Sequence, residues 1–427
     1  MTQPDERLVS AEPQHEQQPL NPAPIPYRTL FATFFKAGCL GFGGFMSLIS
    51  VVQSILVDKK KLLRREDMLD AITLASILPG PQAVNVVALS GSRLRGTLGA
   101  VVAAVAVILP SFVLMLGLSF FYQHYGTNPV VMNFFKGFLP AVTAVIVGVA
   151  WKMTRQQVKG KLDLFLLLLA VAALVLIPKD LRLYVTFFLV IVWGLIGYYA
   201  FYKKNPEASH VAMPAPKANL RFSAGALAAT LGMVVVLIAL LYVPVDPQQY
   251  DSLFNLSKTF SGLSVMLFGG GYVIIPIIRH HVVEVFGWLS DSSFTDAIAF
   301  SQVMPGPILI AATFIGFQVK GFMGALLSTI AVFAPPAIVM VVVARVADLL
   351  KQSAAAKGVL RGIRSGVIGM IYFAAFELAT TADTSSWSQI IPFVVIFAAS
   401  LYAIIRHNLD VAYLIPAAGV VGYFLYQ

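Results

Sequence analysis

Long apolar runs, separated by short polar and basic turns, fill the chain from about residue 30 to its end. They fall at about 30–56, 68–92, 97–121, 129–151, 162–178 and 183–202, and again at about 256–283, 294–317, 322–347, 361–380, 389–405 and 410–426. One further run, about 222–243, stands unpaired between the two sets. Runs of this length with little polar stripe predict helices that are apolar all round, the pattern of membrane segments. Two runs carry a break in the middle, Pro79-Gly80-Pro81 and Pro305-Gly306-Pro307. Proline lacks the amide proton and clashes with the preceding turn, so neither run forms one smooth helix. In hydrocarbon every freed backbone group needs a partner or a wet cavity, and breaks of this kind mark solute sites.

The two breaks belong to a longer repeat. Phe42-Gly43-Gly44 recurs as Phe268-Gly269-Gly270, Asp70-Ala71-Ile72 as Asp296-Ala297-Ile298, and Pro79-Gly80-Pro81 as Pro305-Gly306-Pro307, each pair 226 positions apart. Beyond the turn the spacing falls to 225, matching Gly91 with Gly316, Gly99-Ala100 with Gly324-Ala325, Pro110 with Pro335 and Gly137 with Gly362. This is an internal duplication with one deletion. It divides the chain into a polar tail at 1–27, a first repeat at 28–205, a linker with the extra apolar run at 206–250, and a second repeat at 251–427.

Composition places these runs in a bilayer. Of 427 residues 58% are hydrophobic and 12% charged, with mean hydropathy +0.81, far from the quarter of charged residues usual in soluble domains. The net charge of +10 lies in short loops between apolar runs, so it reads as a topology signal and excludes a nucleic-acid footprint. The tail holds Asp5, Glu6, Glu12 and Glu16 among prolines, and predicts disorder. It lacks the basic start and short apolar core of a cleavable signal. Cys39 is the single cysteine, so no intrachain disulfide forms, and it reads as a small apolar residue.

Basic loops at 57–67, 93–95, 152–161, 203–221 and 351–364 predict the cytoplasmic side, and the Lys- and Arg-free segments 122–129, 244–255, 281–292 and 381–388 the other side. Simple alternation of thirteen spans misplaces 57–67 and 152–161. The conflict nearly vanishes if the Phe-Gly-Gly and Pro-Gly-Pro segments are re-entrant hairpins, whose arms of roughly 10 to 14 residues reach about halfway through a core about 30 Å thick. The expected fold is thus an all-α polytopic membrane protein of two inverted repeats with broken, re-entrant helices. Its N-terminus lies in the cytoplasm and its C-terminus outside. Arg279, Lys320, Lys179 and Arg182 are the exceptions to the charge rule.

The candidate chemistry sits at the breaks. A helix restarting after Pro81 or Pro307 presents uncapped amides and the positive end of its dipole, which is an anion site. In the first half Gln82 and Asn85 add side-chain donors; in the second, Gln302 and Thr313 flank the turn. Gly43, Gly44, Gly269, Gly270 and Gly271 allow close approach to an oxyanion or to the opposing hairpin, or simply tight helix packing. Lys36 is a candidate charge for a dianion and Glu377 a candidate proton carrier, while Lys136 reads as an interfacial lysine. Arg93 and Arg95 face the cytoplasmic mouth, where they attract anions or set topology. Asp70 and Asp296 read as helix N-terminal carboxylates. No zinc-type His/Cys cluster, phosphate-binding loop or nucleophile elbow is present, and neither cofactor nor metal nor enzymatic activity is expected.

At these paired motifs the chain resembles the chromate transporter family, whose long members carry two homologous halves, each with a Phe-Gly-Gly cluster and a Pro-Gly-Pro turn. The resemblance covers about residues 28 to 427. It departs at Phe45, where a third small residue or proline is common; the second-half Phe268 to Gly271 is intact. It implies chromate efflux across the bacterial inner membrane, driven by membrane potential or a proton gradient, with sulfate as a competitor. Taken with the helix breaks read above, the candidate substrate-binding residues are Phe42, Gly43, Gly44, Pro79, Gly80, Pro81, Gln82, Asn85, Arg93, Lys36, Gly269, Gly270, Gly271, Gln302, Pro305, Gly306, Pro307 and Thr313. The expected partners are the oxyanion, the lipid bilayer and a second copy of the chain. A small-anion channel and a membrane scaffold or sensor are the alternatives from other classes.

Overall fold

The computed structural model describes residues 25–42, 45–78, 80–126, 128–203, 252–265, 267, 271–272, 274–344, 354–382 and 385–426. The N-terminal tail through residue 24, Gly43, Gly44, Pro79, Phe268, Gly269, Gly270 and the linker with its apolar run lie outside them. The first half comprises α1 (Tyr27–Leu40), α2 (Phe45–Gln53), α3 (Arg65–Ile77), α4 (Gln82–Tyr125), α5 (Pro129–Lys136), α6 (Phe138–Gln157), α7 (Lys161–Leu176) and α8 (Lys179–Gly197). The second comprises α9 (Leu253–Val265), α10 (Ile275–Arg279), α11 (Asp291–Val303), α12 (Ala311–Ala344), α13 (Ala354–Ala379), α14 (Trp387–His407) and α15 (Val411–Leu425). The described residues contain helices and no strand.

Local chemistry explains the boundaries. The Asn128 side chain accepts from the Val130 amide at 3.0 Å and Pro129 fills the first turn of α5, where its missing N–H has no partner to lose. Asp410 caps α15 in the same way, accepting from Ala412 at 3.0 Å. Pro81 stands just outside α4 in an extended conformation, one residue earlier than a first-turn proline. Pro307 leads into a short 3-10 turn, Ile308–Ile310, before α12 begins.

The duplication is legible element by element. α3 and α11 coincide under the 226-residue shift, as do the π-helical turns Ser54–Lys59 and His280–Val285 that follow α2 and α10. α4 and α12 each contain a sharp kink, at Arg95-Gly96 and at Lys320-Gly321, with the glycines at φ 67° and 57°. These pairs obey the 225-residue shift. Each kink folds a short helix back on a long one, crossing at Gly91 with Gly99 and at Gly316 with Gly324, where a β-carbon would strike the facing carbonyl. Small residues let the two helices touch at the backbone.

The arms around each break are short: α1 has 14 residues, α3 and α11 13 each. The α3 arm and the arm from Gln82 to the kink form a hairpin, since Arg93 at the end of the second donates to the Asp67 carbonyl at the start of the first, at 2.6 Å. Arg95, at the same end, lies over the Tyr27 ring at 4.4 Å. Among the described residues five helical stretches are long and apolar enough to cross a membrane: Gln82–Tyr125, Pro129–Gln157, Ile308–Val342, Arg361–Ala379 and Trp387–His407. The apolar runs at 162–178 and 410–426 give shorter helices, 16 residues in α7 and 15 in α15. Around the central α1, α4, α9 and α12, the outer helices interleave between halves, α13 packing on α6, α7 and α8, and α14 on α6.

Candidate functional site

The two Pro-Gly-Pro turns meet the opposite half at equivalent positions. The Gly80 amide donates to the Leu267 carbonyl at 2.7 Å, and the Gly306 amide to the Gly41 carbonyl at 2.8 Å. Gly80 and Gly306 correspond under the 226 shift, and so do Gly41 and Leu267. Both turn glycines have positive φ, 110° and 121°. A β-carbon on Gly80 would strike Pro336, and one on Gly306 would strike Ser111, two positions that correspond under the 225 shift. Ser111 also donates to the Pro305 carbonyl. Each turn therefore meets the residue just ahead of the opposite half's Phe-Gly-Gly cluster, Leu267 or Gly41; the clusters' Gly43, Gly44, Gly269 and Gly270 lie outside the described residues.

Ser111 and Pro336 lie in the middle of the long limbs of α4 and α12, 15 residues beyond Gly96 and Gly321, or about 22 Å along the helix. Asn85, Gln302, Thr313, Ser111 and Thr329 are all buried. The Asn85 Nδ2 sits 3.2 Å from where a Gly80 β-carbon would stand. Gln302 Oε1 accepts from the Tyr272 hydroxyl at 3.1 Å, while its Nε2 has no hydrogen-bond partner among the described residues. Gly271 lies against Ile308, so Gly271, the 3-10 turn and the adjacent Tyr272, which pairs with Gln302, are neighbours. Thr313 and Thr329 share a hydrogen bond of 2.7 Å.

Other candidates are placed elsewhere. Lys36 is exposed on the face of α1 opposite Phe34, Ala37 and Gly38, and Phe42 is also exposed. Gln82 is half-buried at the start of α4. Arg93 is bound to Asp67 and lies 3.6 Å from Asp70, closing the hairpin. Glu377 lies 3.8 Å from Arg279, which also pairs with Glu284 and Asp291 at 2.6 Å each. Arg279 is thus buried beside three carboxylates, which offset its charge.

Asp70 and Asp296 do not cap their helices. The Arg64 amide donates to Asp67 in the first turn of α3, and Ser290 caps α11; both aspartates lie a full turn further in. Asp296 instead accepts from the Tyr122 hydroxyl at 2.9 Å. Sequence reading missed this partner because residues 122 and 296 are joined only by tertiary packing. It also missed Lys258, buried on α9 within electrostatic reach of His281, whose position inside the 256–283 run was the available signal. No group of three metal-ligating side chains occurs among the described residues.

The paired crossing at equivalent residues is the arrangement expected of a duplicated transporter, and comparison with known proteins agrees. The chain matches the chromate transporter family over residues 28–198 and 254–423. It belongs to that family. A chromate transport protein of Pseudomonas aeruginosa is 30% identical over 412 residues, covering 95% of this chain and 94% of that protein. One of Cupriavidus metallidurans is 29% identical over 353 residues, 82% of each. An uncharacterized transporter of Methanocaldococcus jannaschii is 32% identical over 368 residues, covering 86% of this chain and 88% of that protein. No solved structure matches the chain. Membership in the chromate transporter family, together with the long apolar helices, makes this a multi-pass membrane protein.

Proposed function

We propose that the chain is a secondary transporter that exports chromate, or a closely similar oxyanion, from the cytoplasm across a bacterial inner membrane. The drive is the membrane potential or the proton gradient. The observation that carries this reading is the reciprocal crossing of the two breaks, with the unpaired Gln302 Nε2 and the buried Asn85 beside it. A broken helix at mid-depth offers amides and side-chain donors already oriented by the fold, so a desolvated dianion gains hydrogen bonds without reorganising the protein. Such donors distinguish poorly between tetrahedral dianions, and sulfate should compete.

Inverted halves are supported by the fate of two equivalent residues. Asp70 lies beside Arg93, near the start of the long limb of α4, and Asp296 beside Tyr122, near its other end. The separation is about 40 Å along the helix. A twofold relation that exchanges the ends of α4 reverses one half against the other, which is how alternating access is built in other inverted-repeat transporters. The break arms, each too short to cross a core about 30 Å thick, support re-entrant hairpins.

Inverted vesicles carrying the protein should accumulate radiolabelled chromate, and an ionophore should abolish the accumulation. Equilibration that ignores the gradient would instead indicate an anion channel, and no uptake at all a scaffold.

A further inference from the structure

The central crossing leaves unexplained a cavity whose mainly apolar wall carries a few polar and charged groups. It has a volume of about 280 Å³ and is lined by Tyr122, Lys136, Ser292, Thr295, Asp296 and Gln389 among others. It lies at the end of α4 remote from Arg93 and Arg95. Asp296 is buried in its wall, 7% exposed, and its recorded partner is the Tyr122 hydroxyl, itself 3.2 Å from Ser293 Oγ. Lys136 stands over the Tyr426 ring at 5.9 Å, and both line the cavity. The remaining polar lining, Ser292, Thr295, Thr381 and Gln389, consists of neutral hydroxyls and an amide.

The repeat shows what is special here. Under the 226 shift Asp296 corresponds to Asp70, and under the 225 shift Lys136 corresponds to Arg361. In those counterparts the charges are already matched, Asp70 by Arg93 at 3.6 Å and Arg361 by Asp163 at 2.9 Å. At the cavity neither the carboxylate nor the ammonium is in an ion pair among the described residues; they line one shared cavity instead. An ammonium with neutral donors suits a tetrahedral oxyanion, but an ionised carboxylate in the same wall repels it.

We propose that this cavity is an oxyanion vestibule in which Asp296 binds a proton together with the anion, Lys136 supplying the positive charge. The inference rests on the transport reading above. The proton comes from water at the mouth of the cavity, converts the carboxylate to a neutral carboxyl still hydrogen-bonded to Tyr122, and returns to water when the anion leaves. The other titratable groups around Asp296 among the described residues are Tyr122 from α4, Lys136 from α5 and Tyr426 beyond α15. On its own helix there is Asp291, ion-paired with Arg279. α6 and α12 present no titratable side chain to the cavity.

The test is binding of radiolabelled sulfate to the purified full-length protein in detergent, from acid to mildly alkaline pH, with infrared difference spectra recorded in parallel. Wild-type affinity should rise about tenfold on acidification, a typical site-to-site coupling. Asp296→Asn should hold the acid affinity at every pH and lose the carboxylic-acid carbonyl band that acidification produces in the wild type. Lys136→Gln should bind about tenfold more weakly, whereas Asp70→Asn should leave the pH response unchanged. If Asp296→Asn fails to fold, Asp296→Glu and Tyr122→Phe should each displace the midpoint of the pH response. A pH response that survives Asp296→Asn, or that neither substitute variant moves, overturns the proposal, as does wild-type affinity in Lys136→Gln. Wild-type protein that binds no sulfate at any pH overturns the transport reading as well, which separates the two failures.

Discussion

The amide of Gly80 donates to the carbonyl of Leu267 at 2.7 Å, joining the Pro-Gly-Pro turn of one half to the glycine-rich break of the other. Its counterpart joins Gly306 to Gly41 at 2.8 Å. Each break frees backbone groups that apolar surroundings would leave unpaired, and here each half satisfies one such group of the other. The turns are therefore an interface between the two halves.

Both turn glycines combine positive φ with a contact that leaves no room for a β-carbon. Gly80→Ala and Gly306→Ala should each destabilise the protein by about 2–4 kcal/mol, from backbone strain and overpacking together. Gly96→Ala, where φ is 67° but nothing lies within 4 Å, should cost only the strain, about 1 kcal/mol. Thermal unfolding in detergent would rank the three, and equal losses would show that the close approach to Pro336 and Ser111 does not matter.

The duplication, the broken helices and the lengths of their arms were legible in the sequence because they depend on local features: apolar run length, proline and glycine positions, and register between repeats. α3 and α11 appear where a 226-residue shift puts them. What the sequence did not disclose is pairing between distant segments. Nothing local to Gln302 announces Tyr272, nothing local to Asp296 announces Tyr122, and Lys36 reads as an intramembrane charge until its helix face is known. Capping was also misread, since Asp67 and Ser290, not Asp70 and Asp296, sit at the helix starts.

Asp163 joins the halves at the α7 start. Its carboxylate is fully buried and accepts from Arg361 at 2.9 Å, the Gly160 amide at 3.1 Å and Ser365 at 3.3 Å. Arg361→Ala should cost about 2 kcal/mol, less than a fully buried pair because Arg361 is half exposed. Asp163→Asn should recover part of that loss in the double variant, since it removes the charge left unpaired. A double variant as unstable as the sum of the singles would mean that the ion pair is not the source.

Gln302 presents an unpaired Nε2 because Tyr272 holds its oxygen. Gln302→Leu keeps much of the volume and removes the donor, and should weaken chromate transport by about tenfold to a hundredfold, the value of one hydrogen bond to a charged group. Asn85→Ala should be comparable. Lys36→Ala, on an exposed face, should be milder than either. Transport measured in vesicles at matched protein content would test this, and wild-type affinity in both Gln302→Leu and Asn85→Ala would move the site away from the breaks.

Orientation is open to a direct labelling test, because Cys39 is the single cysteine and a Cys39→Ala background leaves none. Lys59 lies in the basic segment between α2 and α3, while Ser292 and Ser388 lie near the starts of α11 and α14, and all three are exposed. If the break segments are hairpins that return to the side they entered, residue 59 is cytoplasmic and residues 292 and 388 are outside. Alternation of full spans would instead put residue 59 outside, against the charge of its segment. A membrane-impermeant thiol reagent added to intact cells should therefore label Ser292→Cys and Ser388→Cys and spare Lys59→Cys until the membrane is opened. Labelling of Lys59→Cys in sealed cells would refute the hairpins. Protection of Ser292→Cys together with Lys59→Cys would leave both halves pointing the same way, and the reversal of one half against the other would have to be abandoned.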